Sequence, residues 1–327
     1  MQKYNARKIS DSPAMKLLAQ TKALADETRL RLLGVLARYE LNVGEIVQVM
    51  DMGQSRISRH LKILVDAGFV TYQRNGLWAF YSAQDKHTAP PLLQAVLDEL
   101  CEFPEHQRDL DKAEQVLLDR RQSTTRFFDE VAADWIKMSR DIVGDFDLNQ
   151  TILSHLAHTG VANQSGVVAD LGCGPGLMLG LLADQAQHTI GVDNSPRMLE
   201  AAARLLPDST AISLRLGDLE HLPLRDAEAD AAIMSLVLHH LAAPQAGLAE
   251  MGRILRPGGQ AVVVDFVSHN NESMRTLYGD RWLGFSSSDL DAWLNRAGFN
   301  AITCQQIPVN LGLNLLILTA TREHFSV

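Results

Sequence analysis

The chain has 327 residues, 46% of them hydrophobic and 6% aromatic, which is enough apolar material for two domains with buried cores. No apolar run is long enough to span a bilayer, and the first residues lack the apolar core of a secretion signal. A net charge of −9 excludes general binding of polyanions, so contact with nucleic acid requires a local basic patch. Three dispersed cysteines, Cys101, Cys173 and Cys304, argue against a disulfide framework, and we expect a cytoplasmic protein without membrane contact.

Apolar spacing in the first part of the chain predicts four helices, over residues 15–23, 28–37, 43–50 and 54–67. Asp26 is a suitable N-cap for the second helix because its side chain can accept a backbone hydrogen bond. The last two helices are short and flank a turn that contains Gly53. Two short helices across a glycine turn are typical of a helix-turn-helix.

The second helix of this pair carries polar side chains of the kinds that read base edges or grip phosphates. They are Gln54, Ser55, Arg56, Ser58, Arg59, His60 and Lys62. Two alternating runs at 68–74 and 78–82, joined by Asn75 and Gly76, predict a β-hairpin behind this helix. Such a hairpin is a wing, and Arg74 on its rim is placed to contact a backbone phosphate. A solvated amphipathic helix is the alternative for the polar residues alone.

Three segments of this region carry a family signature: residues 23–33 (ALADETRLRLL), 55–64 (SRISRHLKIL) and 67–70 (AGFV). Together they resemble the ArsR/SmtB family of winged-helix repressors, over about residues 14–100. The resemblance implies a homodimer that binds a double-stranded DNA operator and releases it when an inducer binds. It also implies that the apolar run at 92–100 is the dimer helix, with packing inside a monomer as the alternative.

The family's metal-binding residues are largely missing from this chain. Asn42 and Gly44 stand where the family's thiolate motif has cysteines, so soft-metal binding at that helix is not expected. Asp85 and His87 match the first half of a second family metal site, whereas the later positions depart from its pattern. We therefore expect no metal, and Asp85 and His87 are weak candidates that also suit a helix cap and an ordinary surface.

A second domain begins, after a charge-rich helical connector, with a strand, a glycine turn and a helix. Asp170 stands near the end of an apolar run, and Gly172, Gly174 and Gly176 follow at alternate positions. Residues without side chains let a ligand approach the backbone, and the next helix offers free N–H groups. Asp193 ends the following apolar run, nineteen positions after Gly174, which suits binding of both ribose hydroxyls. An ordinary glycine-rich turn is the alternative.

The acid-G-x-G-x-G spacing differs from the G-x-G-x-x-G of dinucleotide sites and is similar to motif I of class I S-adenosylmethionine (SAM) methyltransferases. This resemblance covers about residue 125 to the end of the chain. It implies a Rossmann-like α/β domain whose seven-stranded, mostly parallel sheet ends in an antiparallel hairpin, here at 302–309 and 314–321. The turn Arg-Pro-Gly-Gly at 256–259 is expected to lead into the fifth strand.

The same resemblance implies a set of residues that bind SAM or S-adenosylhomocysteine, with Asp193 on the ribose and Asp218 on the adenine amino group. The set is Asp170, Gly172, Cys173, Gly174, Gly176, Asp193, Asn194, Met198, Gly217, Asp218, Leu219 and Leu236. Phe127, Phe128 and Trp135 resemble a segment that covers the SAM pocket, where an aromatic face favours a cation, although they suit a plain core at least as well.

His239 and His240 follow the fourth predicted strand, at the mouth of the expected pocket. One of them could act as a general base or position the methyl acceptor, and a base is needed only when the acceptor must lose a proton. A pair of ordinary polar turn residues is the alternative, and the sequence alone does not decide between them.

The sequence therefore predicts an α+β winged helix-turn-helix domain over residues 1–100, a connector over 101–124 and an α/β class I methyltransferase domain over 125–327. The predicted function is an ArsR-type transcriptional regulator whose second domain senses SAM or S-adenosylhomocysteine, or methylates a small molecule. The alternative is an active small-molecule methyltransferase whose winged helix serves mainly for dimerisation or for control of its own gene.

Overall fold

The computed structural model describes residues 13–75, 77–84, 89–100, 104–157 and 166–323. Gly76, Asp85, His87 and Cys101 lie outside these residues. The described chain forms two compact units that divide between Arg120 and Arg121, and each is described by itself below. Within the described ranges, no helix combines the length and the apolar character that crossing a membrane requires.

The first unit is a helical domain with a small antiparallel sheet. Its elements are α1 (Pro13–Leu24), α2 (Glu27–Leu36), β1 (Leu41–Asn42), α3 (Val43–Met50), α4 (Gln54–Asp66), β2 (Val70–Asn75), β3 (Trp78–Ala83), α5 (Pro91–Leu100) and the first part of α6 (Pro104–Val131). The strand order is β1-β3-β2, with both pairs antiparallel. The predicted helix-turn-helix is α3 and α4, and the predicted wing is β2 and β3, so both are confirmed.

Local side-chain bonds set the ends of these helices. The Asp26 side chain accepts a hydrogen bond from the Arg29 backbone at 3.1 Å and caps α2 as predicted. The Asn42 side chain accepts a hydrogen bond from the Glu45 backbone N–H, and the Glu45 side chain accepts one from the Asn42 backbone N–H. This capping box starts α3. Asp51 ends α3 in the left-handed conformation, and this reverses the chain toward α4. Bonds between neighbours in sequence thus set the start and the end of α3.

Two partly buried ion pairs join the first part of α6 to other helices of the first unit. Arg31 on α2 donates two hydrogen bonds of 2.7 Å to the carboxylate of Asp109, and Arg120 pairs with Glu45 on α3. The predicted connector covers residues 101–124, whereas α6 runs on to Val131. The reason is that residues 105–131 contain neither glycine nor proline, while Pro104 sits at the start, where a helix tolerates it.

The second unit is a seven-stranded sheet with helices on both faces. Its elements after α6 are α7 (Trp135–Val143), α8 (Leu148–Ala157), β4 (Val167–Leu171), α9 (Leu177–Leu182), β5 (His188–Asp193), α10 (Pro196–Leu205), β6 (Ile212–Leu216), β7 (Ala229–Ser235), α11 (Pro244–Ile254), β8 (Leu255–Phe266), α12 (Ser273–Leu277), α13 (Ser287–Arg296), β9 (Phe299–Pro308) and β10 (Asn314–Arg322). The strand order is β6-β5-β4-β7-β8-β10-β9. Strand β10 runs antiparallel to both of its neighbours, which confirms the predicted sheet and hairpin.

One segment of this sheet differs from the sequence analysis. Residues 256–259, expected to be a turn, lie inside β8, which starts at Leu255. Leu255 pairs with Ala229 and Gln260 with Ala231, so the residues between them bulge out of the ladder. Gly258 has a φ of +81°, which glycine adopts without strain and which lets the strand absorb the extra residues.

The sheet also determines where a ligand can bind. From β4 the chain proceeds outward through β5 and β6, and it then returns to the opposite side of β4 with β7. The carboxyl ends of β4 and β7 therefore border a topological switch point, which is where open parallel sheets leave a crevice.

Candidate functional site

A pocket of about 690 Å³, including its open mouth, lies at this switch point in the second unit. It is lined by residues that follow β4, β5, β6 and β7, together with side chains from the end of α6 and the start of α7. They are Arg121, Thr124, Phe128, Trp135, Gly172, Gly174, Asp193, Asn194, Met198, Asp218, Leu219, Glu220, Ser235, Leu236, Val237, His240, Leu241 and Ala242. Eight of the twelve residues predicted to bind SAM are among them.

The glycine loop after β4 forms the floor of the pocket. Gly172, Gly174 and Gly176 all have positive φ, at +81°, +51° and +81°. A Cβ atom on Gly172 would lie 2.5 Å from the side chain of Val237, so a larger residue does not fit there. Gly176 caps α9 and does not line the pocket.

Asp193 joins this loop to the end of β5. One carboxylate oxygen accepts a hydrogen bond from the Gly174 backbone and the other from the Ser195 backbone, both at 2.9 Å. Burial raises the pKa of Asp193, and the backbone donors partly oppose this shift. Each oxygen keeps a second lone pair, so a carboxylate in this position can accept two hydroxyl groups that enter the pocket.

Asp170 and Cys173 lie beside this pocket and line an adjacent one with residues of α7. Burial, and then the charge of Asp193, raise the pKa of Asp170 to about 7. The Cys173 thiol is buried, and this raises its pKa well above the usual value. A buried thiol of this kind is a poor nucleophile, and the place of Cys173 in the ligand set stays a prediction.

The end of β6 supplies a polar wall that the sequence analysis found only in part. The Asp218 carboxylate accepts the Glu220 backbone at 2.9 Å and leaves its other oxygen 3.7 Å from Arg121. Glu220 is buried, accepts Arg121 at 2.5 Å and also accepts the Ala243 backbone at 2.7 Å. Glu220 directly follows the predicted Asp218 and Leu219, so its position was a usable signal. No sequence signal pointed to Arg121, because it lies in the predicted connector.

Gly217 lies just outside the pocket lining and has a spacing role instead. Its backbone N–H donates to the Asp193 carbonyl at 3.0 Å, and a Cβ atom would lie 2.5 Å from the Pro223 ring. Leu236, at the end of β7, lines the pocket with a φ of +57°. Left-handed backbone at a branched apolar residue is strained, and such strain is concentrated at functional sites.

Aromatic rings close one side of the pocket. Phe128 contacts Trp135 and His240 edge to face, with centroid distances of 5.2 Å and 4.7 Å. Phe127 contacts Phe128 at 5.3 Å but packs toward Gly279 and does not line the pocket. Two of the three predicted aromatic residues therefore belong to the pocket wall and one belongs to the packing behind it.

The two histidines occupy different places. His240 lines the pocket, and its Nδ1 lies 3.2 Å from the carbonyl of Gly279, while burial and the neighbouring His239 hold its pKa well below the usual value. His239 lies behind it, with Nδ1 2.9 Å from Asp265. Burial alone would lower the pKa of His239, but Asp265 and Asp280 outweigh it and raise the pKa.

The predicted DNA-reading residues of the first unit are presented on one face of α4. The exposed ones are Gln54, Ser55, Arg56, Ser58, Arg59 and Lys62, and Arg74 on the wing is also exposed. Ile57, Leu61 and Leu64 form the buried stripe opposite them. His60 differs, because it is half-buried and its Nδ1 lies 3.7 Å from the Asp26 carboxylate.

Comparison with known proteins identifies both halves of the chain. Residues 26–72 match the family model described as bacterial regulatory protein, arsR family, and residues 169–263 match the one described as methyltransferase domain. Both resemblances predicted from the sequence are confirmed by these matches.

Individual relatives include a methyltransferase and an uncharacterized protein. The chain is 31% identical over 181 residues to a demethylmenaquinone methyltransferase of Renibacterium salmoninarum, covering 53% of this chain and 72% of that protein. It is 45% identical over 97 residues to an uncharacterized 37.1 kDa protein in a transposon of Streptomyces fradiae, covering 29% of this chain and 28% of that protein. The chain spans half or less of the length of several curated relatives that it matches.

A solved structure supports the fold of the second unit. A chain in the complex of the Haloferax volcanii Trm112 methyltransferase activator with a methyltransferase superposes with a TM-score of 0.50 at 22% identity. The match covers 60% of this chain and 98% of that one. Similarity at this level of identity concerns the fold alone.

The raised pKa of Asp170 leads to a prediction about stability. Because the carboxyl binds its proton more tightly in the folded protein than in the unfolded chain, the folded state loses stability as pH rises from about 4 through about 7. Asp170→Asn should therefore stabilise the protein at pH 8, by at least about 1 kcal/mol, and much less at pH 4. Urea unfolding at both pH values measures this, with the exposed Asp208→Asn as the matched control. An equal effect of Asp170→Asn at the two pH values would contradict the assignment.

Proposed function

Because the chain belongs to the family of SAM-dependent methyltransferases and carries an arsR-family regulatory domain ahead of that domain, we propose that it methylates a small molecule and also binds operator DNA. The observation that carries the enzymatic half is the buried Asp193 carboxylate at the switch point, held by the backbone of Gly174 and Ser195 with lone pairs left for a ligand.

Different residues of the pocket suit the ribose, adenine, methionine and sulfonium parts of SAM. Asp193 accepts the ribose hydroxyls, and Asp218 with the Leu219 backbone faces the adenine edge. The glycines at 172 and 174 leave room for the methionine part beside the backbone. Phe128 and Trp135 line the pocket, and an aromatic face turned toward the sulfonium would favour its positive charge.

The chemistry asks little of the protein beyond placement. SAM supplies a methyl group whose carbon–sulfur bond breaks as an acceptor lone pair attacks in line, with the bonding electrons leaving on sulfur. The side chains of this pocket contribute by orienting the reactants and excluding water. His240 is the group best placed to meet the acceptor, and His239 supports it from behind through Asp265.

The Asp193 assignment is tested by substitution. Asp193→Ala removes two charge-assisted acceptors and should weaken SAM binding at least about tenfold while the protein stays folded. Isothermal titration calorimetry measures the affinity, circular dichroism checks the fold, and the exposed Asp208→Ala serves as control. Unchanged SAM affinity in Asp193→Ala would rule out the ribose role. A wild-type protein that binds neither SAM nor S-adenosylhomocysteine would overturn the enzymatic proposal.

DNA binding is proposed for the exposed face of α4 with Arg74 on the wing. The exposed apolar side chains Met15, Leu17 and Leu18 on α1, at 42%, 54% and 44% exposure, favour a homodimer of the kind that binds two operator half-sites. Localisation in the cytoplasm follows from this proposal, because the DNA is there.

Substitutions on α4 separate base reading from phosphate binding. Arg56→Ala and Arg59→Ala should each weaken binding to the operator by about 1–3 kcal/mol if they read bases. Fluorescence anisotropy with DNA from upstream of the gene measures the loss, and Arg38→Ala, exposed but off this face, is the matched control. Equal losses on unrelated DNA would identify the two arginines as phosphate contacts, and no loss would place the interface elsewhere.

A second function, sensing of SAM or S-adenosylhomocysteine, is favoured by the bonds of α6. Its adjacent residues Arg120 and Arg121 pair with Glu45 in the helix-turn-helix and with Glu220 in the wall of the pocket. Such control requires the ligand to bind the DNA-bound and DNA-free forms with different affinity. The anisotropy titration repeated with saturating SAM or S-adenosylhomocysteine should then shift the DNA affinity. A DNA affinity that neither ligand changes would contradict the sensing function and leave an enzyme whose DNA-binding domain responds to another ligand.

A further inference from the structure

A cluster of three metal-ligating side chains lies at the edge of the pocket. His239, His240 and Asp280 are 2%, 6% and 4% exposed, and each offers one nitrogen or oxygen atom such that these atoms lie within 4.8 Å of one another. The two histidines follow β7, whereas Asp280 comes from the segment after α12. The fold therefore brings together donors that are 40 positions apart in the sequence.

The outer contacts of the cluster fix which atoms face inward. A backbone carbonyl can only accept, so His240 carries its proton on Nδ1 toward Gly279 and keeps the lone pair on Nε2. Asp265 likewise accepts from Nδ1 of His239 at 2.9 Å, which points Nε2 toward Asp280 at 3.6 Å. A carboxylate or carbonyl behind each imidazole is the outer-shell arrangement of metal-binding histidines.

The inward atoms are left without hydrogen bonds. Nε2 of His240 and both carboxylate oxygens of Asp280 are buried and have no hydrogen-bond partner among the described residues. Buried polar atoms of this kind are costly unless another group satisfies them. A protonated His239 between Asp265 and Asp280 would balance charge, but it would leave Nε2 of His240 unsatisfied.

We propose that His239 Nε2, His240 Nε2 and the Asp280 carboxylate bind a divalent transition-metal ion of the Zn²⁺ type. Two imidazoles and one carboxylate are a donor set that such ions accept, and three protein ligands leave a position open. The 3.6 Å between Nε2 of His239 and Asp280 suits two donors that each lie about 2 Å from one ion. Two positive charges also balance the buried Asp265 and Asp280, while Arg275 is already paired with Glu272.

The open position has a consequence that rests on the proposed function. Because the ring of His240 also lines the pocket, we place the open position of the ion on the pocket side of the cluster, where an entering acceptor would meet it. A hydroxyl or thiol bound to such an ion releases its proton to water more readily and keeps the lone pair that attacks the methyl carbon. The expected acceptor class is therefore a molecule with a hydroxyl or thiol group, in preference to an amine.

The test measures metal binding and does not depend on methyl transfer. Tag-free, full-length protein is stripped with a chelator and titrated with Co²⁺, whose visible absorption reports nitrogen and oxygen ligands at low coordination number, and then with Zn²⁺ in competition. We expect one Co²⁺ per chain, displaced by Zn²⁺. Asp280→Asn should weaken binding at least about tenfold. Asp265→Asn changes the contact behind His239 and the bonds that Asp265 accepts from the backbone of His239 and Phe266, and it should weaken binding by about 10- to 100-fold.

Controls separate this site from others. The exposed Asp291→Asn should bind Co²⁺ as the wild type does, and so should a His155→Gln variant outside the cluster. An ion held by Asp85 and His87 would survive the change at Asp280, and that result would overturn the proposal.

Two further outcomes are decisive. A wild-type protein that gives only the weak absorption of hydrated Co²⁺ would also overturn the proposal, even if Asp280→Asn failed to fold. Metal binding without any methylation of hydroxyl or thiol acceptors would keep the site and remove only its proposed link to catalysis.

Discussion

One buried carboxylate joins the glycine loop after β4 to the end of β5, and the ligand pocket lies beside it. Asp193 stands at the end of β5, and its two oxygens accept the backbone of Gly174 and of Ser195. The first bond fixes the glycine loop that follows the neighbouring strand, and the second fixes the start of α10, where Ser195 is also the N-cap. A single side chain therefore sets the spacing between two strand ends, and the ligand it is expected to bind enters between them.

This arrangement places two acidic side chains, Asp170 and Asp193, in a buried part of the protein. Burial and the charge of Asp193 both raise the pKa of the buried Asp170, so ionising Asp170 is costly there. A ligand that carries positive charge and hydroxyl donors would relieve that cost, because it brings an opposite charge and further hydrogen bonds to the carboxylates. The electrostatics and the hydrogen-bonding geometry of the pocket thus favour the same kind of molecule.

The sequence predicted the two folds well because their signals are local. The N-cap at Asp26, the glycine loop and the acid that ends β5 are each encoded within a few positions, and the structure has them as expected. The sequence does not mark where α6 ends, because residues 105–131 contain neither glycine nor proline.

Contacts between residues that are distant in sequence could not be predicted from local patterns. Glu220 and Arg121 meet across 99 positions, and Asp280 approaches the histidines only after α12 has reversed the chain. Nothing in the local pattern distinguishes Asp280 from any other acid near a glycine. His239 and His240 are neighbours in sequence and cannot be told apart there. The fold turns His240 toward the pocket and places His239 behind it, beside Asp265.

Leu236 has a consequence for how such a protein can change over time. Its left-handed backbone costs on the order of 1 kcal/mol or more, and glycine would remove that cost but also the side chain that shapes the pocket. Selection for heat resistance and selection for ligand binding therefore pull this position in opposite directions. In lineages adapted to high temperature, we expect compensation to accumulate in the sheet around β7 rather than at Leu236 itself.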